Sequence, residues 1–135
     1  MRPALRLRQV LNLLNLSTPL GLLVAVAARA SVSRGPDGLL LARDLRLPFR
    51  TAPAFTLGNV VLLRLDDEAL ARRPRLMLHE SRHATQYAWC LGLVMLPLYG
   101  LAASWSWLRC RDPASHNVFE RAAGLADGGY ADRRA

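Results

Sequence analysis

Leu76-Met77-Leu78-His79-Glu80-Ser81-Arg82-His83-Ala84-Thr85-Gln86-Tyr87 is the stretch around which the chain is organised. Within it, His79-Glu80-Ser81-Arg82-His83 has the form H-E-x-x-H. Residues four apart on a helix lie on one face, one turn above the other. His79 and His83 would therefore point the same way and could hold one tetrahedral metal ion. Glu80 is rotated by about 100° from His79, so its carboxylate could reach a water at the metal without being a ligand. Zinc brings the pKa of such a water to about 7, and a nearby carboxylate can take its proton. Pro74 suits the first turn of a helix. Leu76, Met77, Leu78, Ala84, Tyr87 and Ala88 make the surroundings apolar. The pattern predicts a partly buried helix from about Pro74 to Leu91. The chain has three histidines, and two of them fall in this motif.

A catalytic zinc takes three protein ligands and keeps one open position. The third ligand is sought in Asn117 to Ala123, which reads as the start of another helix. Glu120 is the expected ligand, with His116 just before the helix as the alternative. Asn117 and Glu120 also have the spacing of a capping box, which would occupy Glu120 differently. Asp127 lies seven residues after Glu120, on the same face if the helix continues. There it could orient His79 or His83, or stand solvated near the helix end. Cys90 shares the His79 face but lies about 16 Å along the axis, too far for the same metal.

His79-Glu80-x-x-His83 followed by a glutamate on a later helix resembles the zincin metallopeptidases of the Glu-ligand (gluzincin) type. More narrowly, three stretches together are similar to small bacterial metallopeptidase-like domains of unknown substrate. These are Ala54-Phe55-Thr56-Leu57-Gly58-Asn59-Val60-Val61-Leu62, His79-Glu80-x-x-His83-x-x-Gln86-Tyr87 and Asn117-x-Phe119-Glu120. Some domains of that kind occur with toxin and contractile-injection systems. The resemblance covers roughly residues 54 to 127. It implies a zinc held by His79, His83 and Glu120, with Glu80 as general base. It also implies that the strand before the metal helix borders the cleft and pairs with an extended substrate. One departure is Gly124, at the position where the thermolysin family carries an acidic residue four after the ligand glutamate.

A length of 135 residues fits one domain with a real core. Apolar residues make up 52%, which argues against disorder outside the termini. The formal net charge is +8, and every cationic side chain is arginine. Such a chain is attracted to anionic surfaces at low salt. The arginines are scattered in ones and twos without an interleaved aromatic patch, so nucleic acid is not expected as a partner. Cys90 and Cys110 lack C-x-x-C spacing and are expected as reduced, small apolar residues.

Arg2, Arg6 and Arg8 precede uncharged Val10 to Ala28, and Ala25-Val26-Ala27 mimics a cleavage site, the layout of a signal peptide or anchor. Asn12, Asn15, Ser17, Thr18 and Pro19 interrupt that run. They favour a helix from about Leu5 to Leu14, a turn at Ser17 to Pro19, and a buried strand at Leu20 to Val26. Ser33 to Gly38 is a turn, after which Leu39 to Ala42 reads as a strand pairing back on residues 20–30. Pro48 and Pro53 mark a loop. Val60 to Leu63 is a third strand, and Asp66-Asp67-Glu68 opens a short helix with acids at its N-terminus. Tyr87 to Leu108 carries no charge over the length of a membrane span, with tryptophans near both ends. It is read as an apolar hairpin, with a second helix from about Pro97 to Leu108 beside the metal helix. The same segment could associate with a membrane or with a second copy. Arg109 to Pro113 is read as a polar loop, and Gly128-Gly129 as the stop of the Glu120 helix.

These readings combine into one α+β domain spanning 1–135. A small N-terminal antiparallel β-sheet is followed by a zincin-like helical core carrying the metal site. The expected activity is zinc-dependent hydrolysis of peptide bonds in a peptide or protein substrate. The alternative is a small membrane-associated or protein-interaction module whose metal site is structural or vestigial. The expected location is the cytoplasm, with membrane association left open.

Overall fold

Pro3 fits the first turn of a helix, where its missing N–H is not needed, and α1 (Pro3–Leu14) begins there. The computed structural model describes residues 1–47 and 52–134. The side chains that α1 buries are Arg8 and Asn12, not its leucines. Arg8 Nη1 donates to the Ser81 carbonyl at 2.9 Å and to Ser81 Oγ at 2.8 Å. Its Nη2 donates to the Asp37 carbonyl at 2.6 Å. Burial lowers the pKa of Arg8, but a guanidinium stays charged in proteins. Asn12 Nδ2 donates to Asn59 Oδ1 at 2.7 Å and to the Ala84 carbonyl at 2.9 Å. Polar contacts thus fasten α1 to the helix that carries the H-E-x-x-H motif.

The strand expected at Leu20 to Val26 is instead part of a second helix, α2 (Ser17–Ala27). Its buried residues are Ser17, Thr18, Gly21 and Ala25, while Leu23 and Val26 are exposed. The fully buried positions are small residues, while Leu22 and Val24 are only half-buried against the core. A reading based on large apolar residues therefore misses the helix. Gly21 shows the reason for the small stripe: a Cβ there would stand 2.6 Å from the Leu57 carbonyl oxygen. Residues 3–27 are therefore two helices packed into the fold.

Four short strands follow: β1 (Ser31–Arg34), β2 (Leu40–Arg43), β3 (Ala54–Leu57) and β4 (Val60–Leu63). They form one sheet in the order β1-β2-β4-β3. β1 and β2 make the expected hairpin around Gly35 to Gly38, but the first arm is residues 31–34 and not 20–30. β3 and β4 are antiparallel through the Gly58-Asn59 turn, whereas β2 and β4 are parallel. The chain is α+β as expected. The sheet is mixed, because β3 takes the outer edge and lets β4 return beside β2. It is preceded by α1 and α2, so it is not N-terminal. Of the loop expected around Pro48 and Pro53, Pro48 lies outside the described residues and Pro53 directly precedes β3.

Alternation along β4 divides the core in two. Val60 and Leu62 pack with Ala25 of α2. Val61 and Leu63 pack with Leu76 and Ala84 of the motif helix. Asp66 caps α3 (Asp67–Ala71) by accepting from the Ala69 N–H at 2.7 Å. The motif helix is α4 (Leu76–Trp89). It is followed by a short 3-10 turn and by α5 (Met95–Cys110), which absorbs the start of the expected polar loop. The two do not lie side by side as a closed hairpin: the chain bends by 113° between them. The last helix, α6 (Val118–Ala123), stops at Gly124, not at Gly128-Gly129. Cys90 and Cys110 are both free thiols.

Candidate metal centre

On α4, His79 and His83 fall on one buried face, as the i, i+4 spacing requires. α6 brings Glu120 to the same place. His79 Nε2 and His83 Nε2 are 3.0 Å apart. Glu120 Oε2 is 3.0 Å from His79 Nε2 and 3.2 Å from His83 Nε2. All three residues are buried. Tetrahedral coordination with zinc–nitrogen bonds of about 2.1 Å places ligand atoms ~3.3 Å apart, close to this triangle.

The other ring nitrogens determine what the triangle is made of. His79 Nδ1 lies 2.8 Å from the Gly124 carbonyl oxygen, which can only accept. Nδ1 therefore carries the proton, and Nε2 offers a lone pair. His83 Nδ1 lies 2.8 Å from Gln86 Oε1. Gln86 Nε2 donates to the Phe119 carbonyl at 2.8 Å, which fixes the amide with its oxygen toward His83. His83 Nδ1 is then also an N–H. Two imidazole lone pairs and a carboxylate oxygen thus face one another, and only a proton or a cation between them satisfies all three. Burial by itself would lower the pKa of His83, but the Glu120 hydrogen bond and charge outweigh it and raise it. Burial would raise the pKa of Glu120, but the facing His79 and His83 imidazoles and the Tyr99 hydroxyl hold it far below the usual carboxylate range.

Glu80 points to the sheet side of α4. Its Oε2 accepts from Thr56 Oγ1 of β3 at 2.6 Å. Burial raises its pKa against the pull of that hydrogen bond. A cation at the triangle works in the opposite direction and favours the carboxylate. The Tyr99 hydroxyl of α5 donates to Glu120 Oε1, so Oε2 is the oxygen left for the imidazoles. The Tyr99 phenol is held neutral by burial and by the Glu120 charge. A cavity of about 240 Å³ opens over the triangle, lined by β3, by His79, Glu80 and His83, and by Tyr99 and Tyr130.

His116 is not in the cluster; its backbone N–H donates to Ser106 Oγ at 2.7 Å. Asn117 does cap α6, accepting from the Phe119 N–H at 3.0 Å, while the Glu120 side chain turns to the histidines. Asp127 lies beyond the end of α6 and orients neither histidine. It accepts from Arg75 Nε at 2.6 Å and from Arg82 Nη1 at 3.1 Å, tying the following loop to α4. The orienting partners are Gly124 and Gln86. Gln86 was findable, because it sits three residues after His83 on the same helical side. Thr56, Tyr99, Gly124 and Tyr130 left no local signal.

Gly128 packs flat against the His79 ring. A Cβ there would meet His79 Cε1 at 2.5 Å and Nδ1 at 2.8 Å. Gly128→Ala therefore forces the ring off its Gly124 acceptor. Loss of an orienting partner costs about 10- to 100-fold in metal affinity. That loss is the expected result in competition titration against a chromophoric chelator. Affinity equal to wild type would mean that the ring is not held by this contact.

No family model, no curated protein and no solved structure matches this chain.

Proposed function

We propose that this protein is a zinc-dependent peptidase in which His79, His83 and Glu120 hold the metal and Glu80 is the general base. The observation that carries the reading is the convergence of two imidazole lone pairs and one carboxylate oxygen within 3.2 Å, each oriented by a separate partner. A bound divalent ion would supply Lewis acidity toward the scissile carbonyl and toward water. Glu80 takes the proton of the attacking water at Oε1, its Oε2 being held by Thr56, and passes it to the leaving amine. The oxygen–carbon bond forms, the carbon–nitrogen bond breaks, and a carboxylate and an amine result.

A peptide fits the site because β3 lines the cavity and is the outer strand of the sheet. An extended substrate can add to its outer side through main-chain hydrogen bonds. β4, at the centre of the sheet, is core. The reading agrees with the resemblance to gluzincin-type enzymes. At Gly124, where the thermolysin family has an acidic residue, the backbone carbonyl accepts the His79 proton.

The test is elemental analysis of the purified protein together with a peptide-library cleavage screen. About one zinc per chain and cleavage that a chelator abolishes are expected. One metal per chain without cleavage would make the site structural. No metal in a folded sample supplied with zinc would remove the proposal.

A further inference from the structure

We infer that this protein docks on anionic phospholipid bilayers, through α5 and the adjoining corners at residues 14–16 and 89–92. The inference stands independently of the metal site. Three helices leave large apolar side chains exposed. α1 buries Arg8 and Asn12, and α2 buries Ser17 and Thr18. α5 buries only Met95 and Ser106 of its sixteen residues. Its exposed side includes Leu101 at 70%, Trp105 at 56% and Leu108 at 68% exposure. A helix that is apolar on nearly all sides is ordinarily covered.

The patch is continuous across two bends. A Cβ on Gly92, between α4 and α5, would touch the side chain of Asn15, between α1 and α2. Asn15 Nδ2 also donates to the Tyr87 carbonyl at 3.2 Å. The two corners therefore adjoin, and each presents large apolar side chains, Leu14 and Leu16 on one and Trp89 and Leu91 on the other.

Charge selects the occupant. Residues 1–36 and 81–111 contain no aspartate or glutamate, and they carry eight arginines, of which Arg8 is buried and Arg82 is paired with Asp127. At the end of α5 the Arg109 guanidinium lies 5.5 Å from the Trp105 ring centroid and that of Arg111 lies 4.2 Å from the Trp107 centroid. Tryptophan and arginine at the border of an apolar segment suit the headgroup layer. A second copy of the same face would set arginines against arginines, whereas an anionic surface attracts them. Sixteen helical residues span about 24 Å, less than the ~30 Å hydrocarbon core. Among the described residues, no single helix is long and apolar enough to cross a membrane. The docking is therefore in the plane of the interface, with the apolar side of α5 sunk into it. Met95, Leu96 and Tyr99 of α5 line the metal-site cavity, so the docked helix also forms one of its walls.

The test is flotation of the full chain with vesicles of phosphatidylglycerol and phosphatidylcholine, and with vesicles of phosphatidylcholine alone. Wild type is expected to float with the anionic vesicles, less so as salt rises. Replacing Arg109 and Arg111 by alanine should weaken binding about fivefold per arginine. Leu101→Glu with Trp105→Glu should abolish flotation while circular dichroism stays that of wild type, since both side chains are solvent-exposed. Equal flotation with both vesicle types, or flotation of the glutamate variant, would overturn the inference. Failure of wild type to float would do so too. If light scattering then gave a dimer that the glutamate substitutions dissociate, the occupant would be a second copy.

Discussion

Glu80→Gln is expected to bind zinc as wild type does and to lose peptide hydrolysis by about 100- to 10,000-fold. The carboxylate is not a member of the His79–His83–Glu120 cluster. Its contact is with Thr56 Oγ1, on the sheet side of α4. Glutamine keeps an oxygen that can accept from Thr56, so folding and the metal triangle should survive. What it would lose, on the proposed mechanism, is the ability to take a proton from water and return it to the leaving amine. Metal titration and turnover, measured on the same sample, separate the two roles. A variant that loses metal would place Glu80 among the ligands. A variant that keeps full turnover would place the base elsewhere.

Glu120→Ala is expected to lose metal far more severely than the 10- to 100-fold that an orienting partner costs. Three effects act together. The carboxylate is the anionic member of the triangle, and without it two neutral imidazoles remain. It is also the partner that raises the pKa of His83. Finally, Tyr99 loses its acceptor, which leaves a buried hydroxyl unpaired. Breaking a buried charge pair costs about 3–5 kcal/mol, so a lower unfolding midpoint should accompany the loss of metal. Glu120→Gln tells ligation from packing, because it keeps the shape and the Tyr99 acceptor while removing the charge. Retention of metal by Glu120→Ala would remove Glu120 from the ligand set.

The proposed metal would relieve two unfavourable features of the site. Burial of Glu80 and the close approach of two imidazole nitrogens both cost free energy in the metal-free chain. A cation at the triangle relieves both, so zinc should raise the unfolding midpoint of wild type. Cost at a functional centre that is relieved on binding is the usual form of preorganisation.

By itself, the sequence determined what depends on neighbours a few residues apart. H-E-x-x-H places His79 and His83 on one face because the helical repeat does so wherever the helix forms. Asp66 and Asn117 mark helix starts through their own side-chain chemistry. The Gly35 to Gly38 turn and the β-branched run at Val60 were legible for the same reason. Tertiary structure alone decided what depends on segments distant in the chain. α2 was hidden because small residues, not large ones, carry its buried face, and only the approach of the Leu57 carbonyl explains them. The parallel pairing of β2 with β4 follows from β3 taking the outer edge, a choice no local pattern encodes. Gly124 read only as a departure from the thermolysin pattern, and Gly128 as part of a helix stop. One supplies the carbonyl that orients His79 and the other the space in which its ring lies, because the chain after α6 folds back over α4. Glu120 was named from sequence, but its capping-box spacing left it a second role. What turned it to the histidines was the placement of α6 against α4, with Tyr99 of α5 holding its other oxygen.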